Sequence, residues 1–159
     1  MFIPVSQTNP MKLLCQRDLQ WCSDKLGQSN LTVGRFGCCI TSISMLSDYF
    51  KCYRSPKELA HNVALFTMDG LVNWQALHFD HMRFESRLQG RSDATIQNCL
   101  NSPDRAIMLN VNQGQHWVVA IKKTLFGNSY IVADPWTGQQ CDVIKVYKDI
   151  TGSAIFTRI

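Results

Sequence analysis

At 159 residues the chain has the length of one ordinary domain, enough to bury a core without disulfide or metal staples. A composition that is 45% hydrophobic and 18% charged excludes a disordered chain, and no stretch approaches the ~18 consecutive apolar residues of a membrane span. The net charge of +4 is spread without a Lys or Arg run, which argues against a nucleic-acid partner and leaves only a weak favour for anionic surfaces.

The opening stretch, MFIPVSQTNPMKLL, lacks a basic region followed by an apolar run. No secretory signal is expected, and the chain reads as cytoplasmic or virion-associated. Residues 1–13 read as an N-terminal arm, and turn formers (Asn9-Pro10, Gly27, Gly34) extend the irregular texture to about residue 37. A short helical turn is expected near Arg17–Leu26. From Cys38 to Phe50 the pattern becomes helical, because Cys39, Ile43, Leu46 and Phe50 form one stripe of a 3.6-residue period. SPKELAHNVA starts another helix, with Ser55 as N-cap, Pro56 at the first helical position and Glu58 three residues after the cap. NWQALHFDH suggests a short third helix, and SDATIQNCLNS a fourth capped by Ser92 or Asp93. Past Pro103 the texture turns to strands: RAIMLNV, HWVVAIKK, SYIVADP, CDVIKVYK and SAIFTRI, separated by Gly, Asn and Pro turns. Helices first and an antiparallel sheet second make an α+β layout, with 1–159 as a single domain free of repeats and linkers.

Seven cysteines (Cys15, Cys22, Cys38, Cys39, Cys52, Cys99 and Cys141) are an odd number without a CxxC pair. Neither a disulfide framework nor a thiolate zinc site fits that spacing, and a metal reading on Cys15, Cys22 and Cys38 is poorly spaced. Most are expected to be reduced and buried, and no metal or cofactor is expected.

The segment VGRFGCCITSISML singles out one of them. Cys39 lies on the apolar stripe and should pack in the core. Cys38, 100° away in the first helical turn, meets unpaired N–H groups and the positive end of the helix dipole, which favour a thiolate. Gly37 before it permits a close approach of substrate or backbone. A thiolate nucleophile needs an imidazole, and the imidazole an orienting acceptor. His61 falls within a predicted helix, and His78 and His81 in a polar stretch, so all three read as surface or structural. His116 opens the strand HWVVAI after the turn-like NQGQ, where its ring can face the helix start. A hairpin centred near residue 125 brings Asp134, at the end of the next strand, back beside His116. Gln16 and Gln20 are available as oxyanion donors. Each residue also has a bland reading: a packed cysteine, an edge-of-strand histidine, a strand-terminal Asp-Pro turn.

Taken together, CQRDLQWC…KLG…GCCIT, GQHWVVAI and YIVADPW occur in one order, with SPKELAHNVALFTMDGLVNWQAL between the first two. These blocks resemble the bacteriocin-leader (double-glycine) peptidases and their standalone bacterial and phage relatives, across about residues 14 to 140. The resemblance implies a papain-like fold, with the nucleophile on a central helix against a C-terminal antiparallel sheet. It places the nucleophile at Cys38, the general base at His116, its orienting partner at Asp134 and the oxyanion donor at Gln16; Gln20 does not match. Cys39 departs from the usual apolar residue or glycine there. The implied activity is peptide hydrolysis through a thioester, with a polypeptide or the stem peptide of bacterial cell wall as substrate, in association with a virion or larger assembly for a phage-type enzyme. A transferase using the same thioester and a non-catalytic binding or structural module are the alternatives. Trp74, Trp117 and Trp136 are candidates for cleft walls or core.

Overall fold

The helix that carries the paired cysteines is covered on almost every side, and the rest of the chain is arranged around it. The computed structural model describes residues 11–159, so most of the expected arm lies outside the described residues. Helix α1 (Val33–Phe36) turns at Gly37 into α2 (Cys38–Tyr49). A Cβ at residue 37 would sit 2.4 Å from the Val33 carbonyl oxygen, so the close approach that needs glycine here is one of backbone to backbone. The apolar stripe of Cys39, Ile43, Leu46 and Phe50 is buried as its period requires. The other face is buried too, and its hydroxyls are matched to carbonyls: Ser42 donates to Trp117, Ser44 to Arg54, and Ser47 to Ser44.

Helix α3 (Pro56–His61) begins with the expected reciprocal cap, Ser55 accepting from the Glu58 N–H and Glu58 from the Ser55 N–H, each at 3.1 Å. Helix α4 (Asp93–Leu100) is capped by Ser92 rather than Asp93. Seven strands form one antiparallel sheet: β1 (His78–Phe79), β2 (Met82–Gln89), β3 (Arg105–Val111), β4 (His116–Lys123), β5 (Tyr130–Asp134), β6 (Gln139–Asp142) and β7 (Gly152–Arg158). Their order is β1-β2-β7-β3-β4-β5-β6, so the last strand of the chain slots between the second and third. Helix α2 packs on one face, against Met82, Met108, Trp117, Val119 and Phe156. Helices α4 and α5 (Val143–Tyr147) cover the other, over Ile107, Leu109, Val118 and Val132. The α+β class holds.

Three expected elements differ. Residues 17–26 form turns, closed by hydrogen bonds from the Trp21 and Cys22 N–H groups to Asp18, rather than a helix. NWQALHFDH yields a single 3₁₀ turn at Trp74–Ala76 and then enters the sheet, which therefore starts at His78 and not after Pro103. CDVIKVYK splits into strand and helix, because the Asp142 carboxylate accepts from the Ile144 and Lys145 N–H groups and caps α5.

Candidate active site

Cys38 is the first residue of α2, and Gly37 before it supplies no side-chain cap. The half-buried sulfur therefore sits in a first turn whose N–H groups carry no side-chain cap. Cys39, its neighbour, is buried, and burial pushes its thiol well above the ordinary range. All seven cysteines are free: Cys39 and Cys99 are buried and the other five half-buried, fewer in the core than expected. Burial, followed by the nearby Asp134 and Asp142 carboxylates, raises the Cys141 thiol to about 11. Among the described residues, no group of three or more His, Cys, Asp or Glu is gathered to hold a metal ion.

His116 enters the site from the start of β4, at the strand end that meets the N-terminus of α2. Its Nε2 donates to Asp134 Oδ1 at 2.8 Å, which leaves Nδ1 as the ring nitrogen available to the nearby Cys38 sulfur. The turn that delivers the ring is costly: Asn112, Gln113 and Gly114 have φ of 52°, 58° and 85°, three left-handed residues in succession. Asn110 holds it, donating from Nδ2 to the Gly114 carbonyl (3.2 Å) and the His116 carbonyl (3.0 Å).

Asp134 is buried and fully engaged. Its Oδ1 also accepts from the Trp136 N–H at 2.9 Å, and its Oδ2 accepts from the Tyr147 hydroxyl. Burial works to raise the Asp134 carboxyl, but the hydrogen bonds from His116, Tyr147 and Trp136 outweigh it and hold the group below its usual range. Burial likewise works against a charged His116, yet the Asp134 hydrogen bond and the nearby Cys38 sulfur lift it from 6.5 to about 9. At neutral pH an imidazolium thus stands between a carboxylate and the sulfur. The expected hairpin register is off by two. Val119 pairs with Ala133 and Ala120 with Val132, which continues to Val118 opposite Asp134, so His116 and Asp134 meet diagonally.

Gln16 lies behind this group, buried, in a segment pinned to the turn after β5. Its N–H donates to the Pro135 carbonyl at 2.7 Å, and Arg17 Nε donates to the Trp136 carbonyl at 2.9 Å. Gln16 Nε2 donates one hydrogen to the Gly34 carbonyl at 3.2 Å, which fixes the amide orientation and leaves its second N–H without a partner among the described residues. Its Oε1 is buried without a partner among the described residues. Gln20 is exposed and away from this contact. The other histidines are exposed, His61 paired with Asp24 at 2.8 Å. Trp117 is buried and Trp74 half-buried, their rings 5.2 Å apart, whereas Trp136 is exposed under the Arg17 guanidinium.

Two residues escaped the sequence reading. Asn110, a lone amide in the apolar run RAIMLNV, carried a legible signal as a polar group at a buried strand position. Tyr147 carried none, since its segment reads as a strand; on α5 its ring lies 5.3 Å from that of His116. Comparison with known proteins finds no matching family model, no matching curated protein and no matching solved structure.

Proposed function

We propose that the chain is a cysteine peptidase of the papain-like type, related to the standalone double-glycine peptidase-like enzymes, with Cys38 as nucleophile. The observation that carries this reading is the gathering of Cys38, His116 and Asp134 from three segments far apart in the sequence, with His116 hydrogen-bonded to Asp134 and its charge favoured by the nearby Cys38. A buried carboxylate held charged, an imidazolium and a cysteine sulfur at an uncapped helix start are the parts that thiol acyl transfer requires.

In this mechanism the Cys38 sulfur, whose proton His116 holds, attacks the scissile carbonyl carbon as a thiolate. The carbonyl oxygen becomes an oxyanion, met by the Cys38 N–H and the second hydrogen of Gln16 Nε2. His116 gives its proton to the amide nitrogen as the C–N bond breaks, releasing the amine and leaving a thioester. Neutral His116 then takes a proton from water, whose oxygen attacks the thioester and frees the carboxylate product and the sulfur. Asp134 keeps the ring in one orientation and balances its charge throughout; Tyr147 and the Trp136 N–H keep Asp134 in place. No step calls for a cofactor.

The substrate class is a peptide, with the stem peptides of bacterial cell wall as the leading member. No helix among the described residues is long and apolar enough to cross a membrane. Incubation with purified cell-wall sacculi and, in parallel, a double-glycine peptide, read by mass analysis, tests this. New amine and carboxylate termini produced by the wild type and not by Cys38→Ala are expected. Intact substrates throughout would leave a binding module. Products joined to added amines in place of water would indicate a transferase.

A further inference from the structure

On the α2 face of the sheet, one cation is held in place next to the candidate site without being used. The pairing of β2 with β7 slips at Glu85: Phe84 lies opposite Phe156, but Ser86 lies opposite Ile155 and Arg87 opposite Ala154. Residues 84 and 87 of a regular strand point to opposite faces, and the extra residue turns them to the same one. Phe156 and Ala154 belong to the core beneath α2, so the bulge aims Arg87 toward that face. There its guanidinium lies 4.9 Å from the Trp74 ring centroid and 5.3 Å from that of Trp117. Phe84 braces Trp74 from the side at 5.3 Å.

Arg87 is exposed, and among the described residues it forms no ion pair. The nearest carboxylate in sequence, Glu85, is taken by Arg105 at 2.9 Å. Trp117 immediately follows His116 in β4, and the field of Arg87 reaches the Cys39 thiol beside the nucleophile. Arg87, Trp74, Phe84, Asn73, Val72 and the Arg105-paired Glu85 line an open groove of about 540 Å³, and two of them, Arg87 and Trp74, lie against Trp117. The arrangement combines an apolar floor with a planar cation set against two indole rings, its N–H groups without a hydrogen bond among the described residues. Such an edge matches a carboxylate in bidentate geometry.

We propose that Arg87, set against Trp74 and Trp117, forms a substrate subsite that binds a peptide carboxylate within a few residues of the scissile bond. The subsite rests on the peptidase reading for its substrate, but its binding chemistry does not depend on turnover. An acidic residue of a polypeptide and the free carboxylate of a wall stem peptide share this chemistry.

The test uses the full chain with Cys38→Ala, titrated with blocked peptides built around a central Gly-Gly, each flanking position carrying Glu or its isostere Gln. Intrinsic tryptophan fluorescence reports the binding. At one position Glu is expected to bind roughly tenfold more tightly than Gln, the worth of one charge-assisted contact at a partly exposed site. Adding Arg87→Gln should erase that preference, and Arg87→Lys should restore part of it. A protein that prefers no acid at any position, or keeps the preference without the guanidinium, overturns the subsite. Turnover by the native enzyme separates the two proposals. Cleavage of Glu and Gln peptides at equal kcat/KM sinks the subsite and leaves the peptidase; Arg87-dependent acid binding with no cleavage of any peptide or of sacculi does the reverse. Cleavage of sacculi but not of linear acidic peptides, or the converse, identifies which source of carboxylate is used.

Discussion

His116 stands between two unlike surroundings. On one side, β5 and α5 surround Asp134 with donors until both carboxylate oxygens are engaged, and the group is buried. On the other, the Trp117 side, an exposed guanidinium rests on indole rings and pairs with no carboxylate among the described residues. A closed hydrogen-bond network fixes one geometry and tolerates no vacancy, since an unpaired buried group costs its full desolvation. An unpaired charge on a rigid apolar platform is instead free to meet something from solution. The first pattern suits the reacting groups, the second their substrate.

That contrast can be broken in graded ways. The largest effect belongs to the adjacent cysteines: Cys38→Ala should abolish peptide cleavage while leaving the fold intact. Cys39→Ala should keep turnover and cost about 1 kcal/mol in a denaturant titration, the ordinary loss for a small buried side chain. Alkylation of the native protein followed by mass mapping should label Cys38 ahead of Cys39. Equal activity loss in both variants, with folding intact, would overturn the assignment. Next in size, Gln16→Ala removes one oxyanion donor and should lower kcat by roughly 10²–10³-fold. A change confined to KM would reassign Gln16 to substrate binding.

Tyr147→Phe comes third. It leaves one buried oxygen of Asp134 without its donor, at an expected cost of about 1–3 kcal/mol in unfolding free energy. It should also move the ionisation of Asp134 upward, so that the acid loss of stability due to this group is smaller and ends at a higher pH than in the wild type. An unshifted acid limb would show that the hydroxyl does not act on the carboxylate. The last effect is the pH dependence of stability at the alkaline end. Because His116 is raised from 6.5 to about 9, its contribution is complete below the ordinary value and is lost as pH rises through about 9. Asp134, held below its ordinary 3.8, contributes above that value and loses its effect as pH falls through the lowered one. His116→Gln should flatten the alkaline decline measured by thermal unfolding; an unchanged decline would mean that other groups cause it.

Much of this was readable from local pattern. The 3.6-residue stripe through Cys39, Ile43, Leu46 and Phe50 located the central helix and separated its two thiols, and Ser55 with Glu58 marked the start of α3. The pairing of His116 with Asp134 followed from strand alternation, and it tolerated an error: a register wrong by two residues keeps both side chains on the same face, where an error of one would have parted them. The missed pieces are those that local pattern does not specify. In VIKVYK, β-branched residues spell a strand, and the Asp142 carboxylate capping the next turn decides for a helix. That choice carried Tyr147 out of view. The segment from His78 to Gln89 hides its alternation because a bulge interrupts it at Glu85, and the same bulge aims Arg87. Neither device leaves a periodic trace.

The central claim is that His116 is a cation held between Cys38 and Asp134, and the imidazole resonances of His116 test it most directly. A nuclear magnetic resonance titration should place its ionisation at about 9, and Cys38→Ala and Asp134→Asn should each move it downward. A midpoint at the ordinary 6.5, indifferent to both substitutions, would contradict the account.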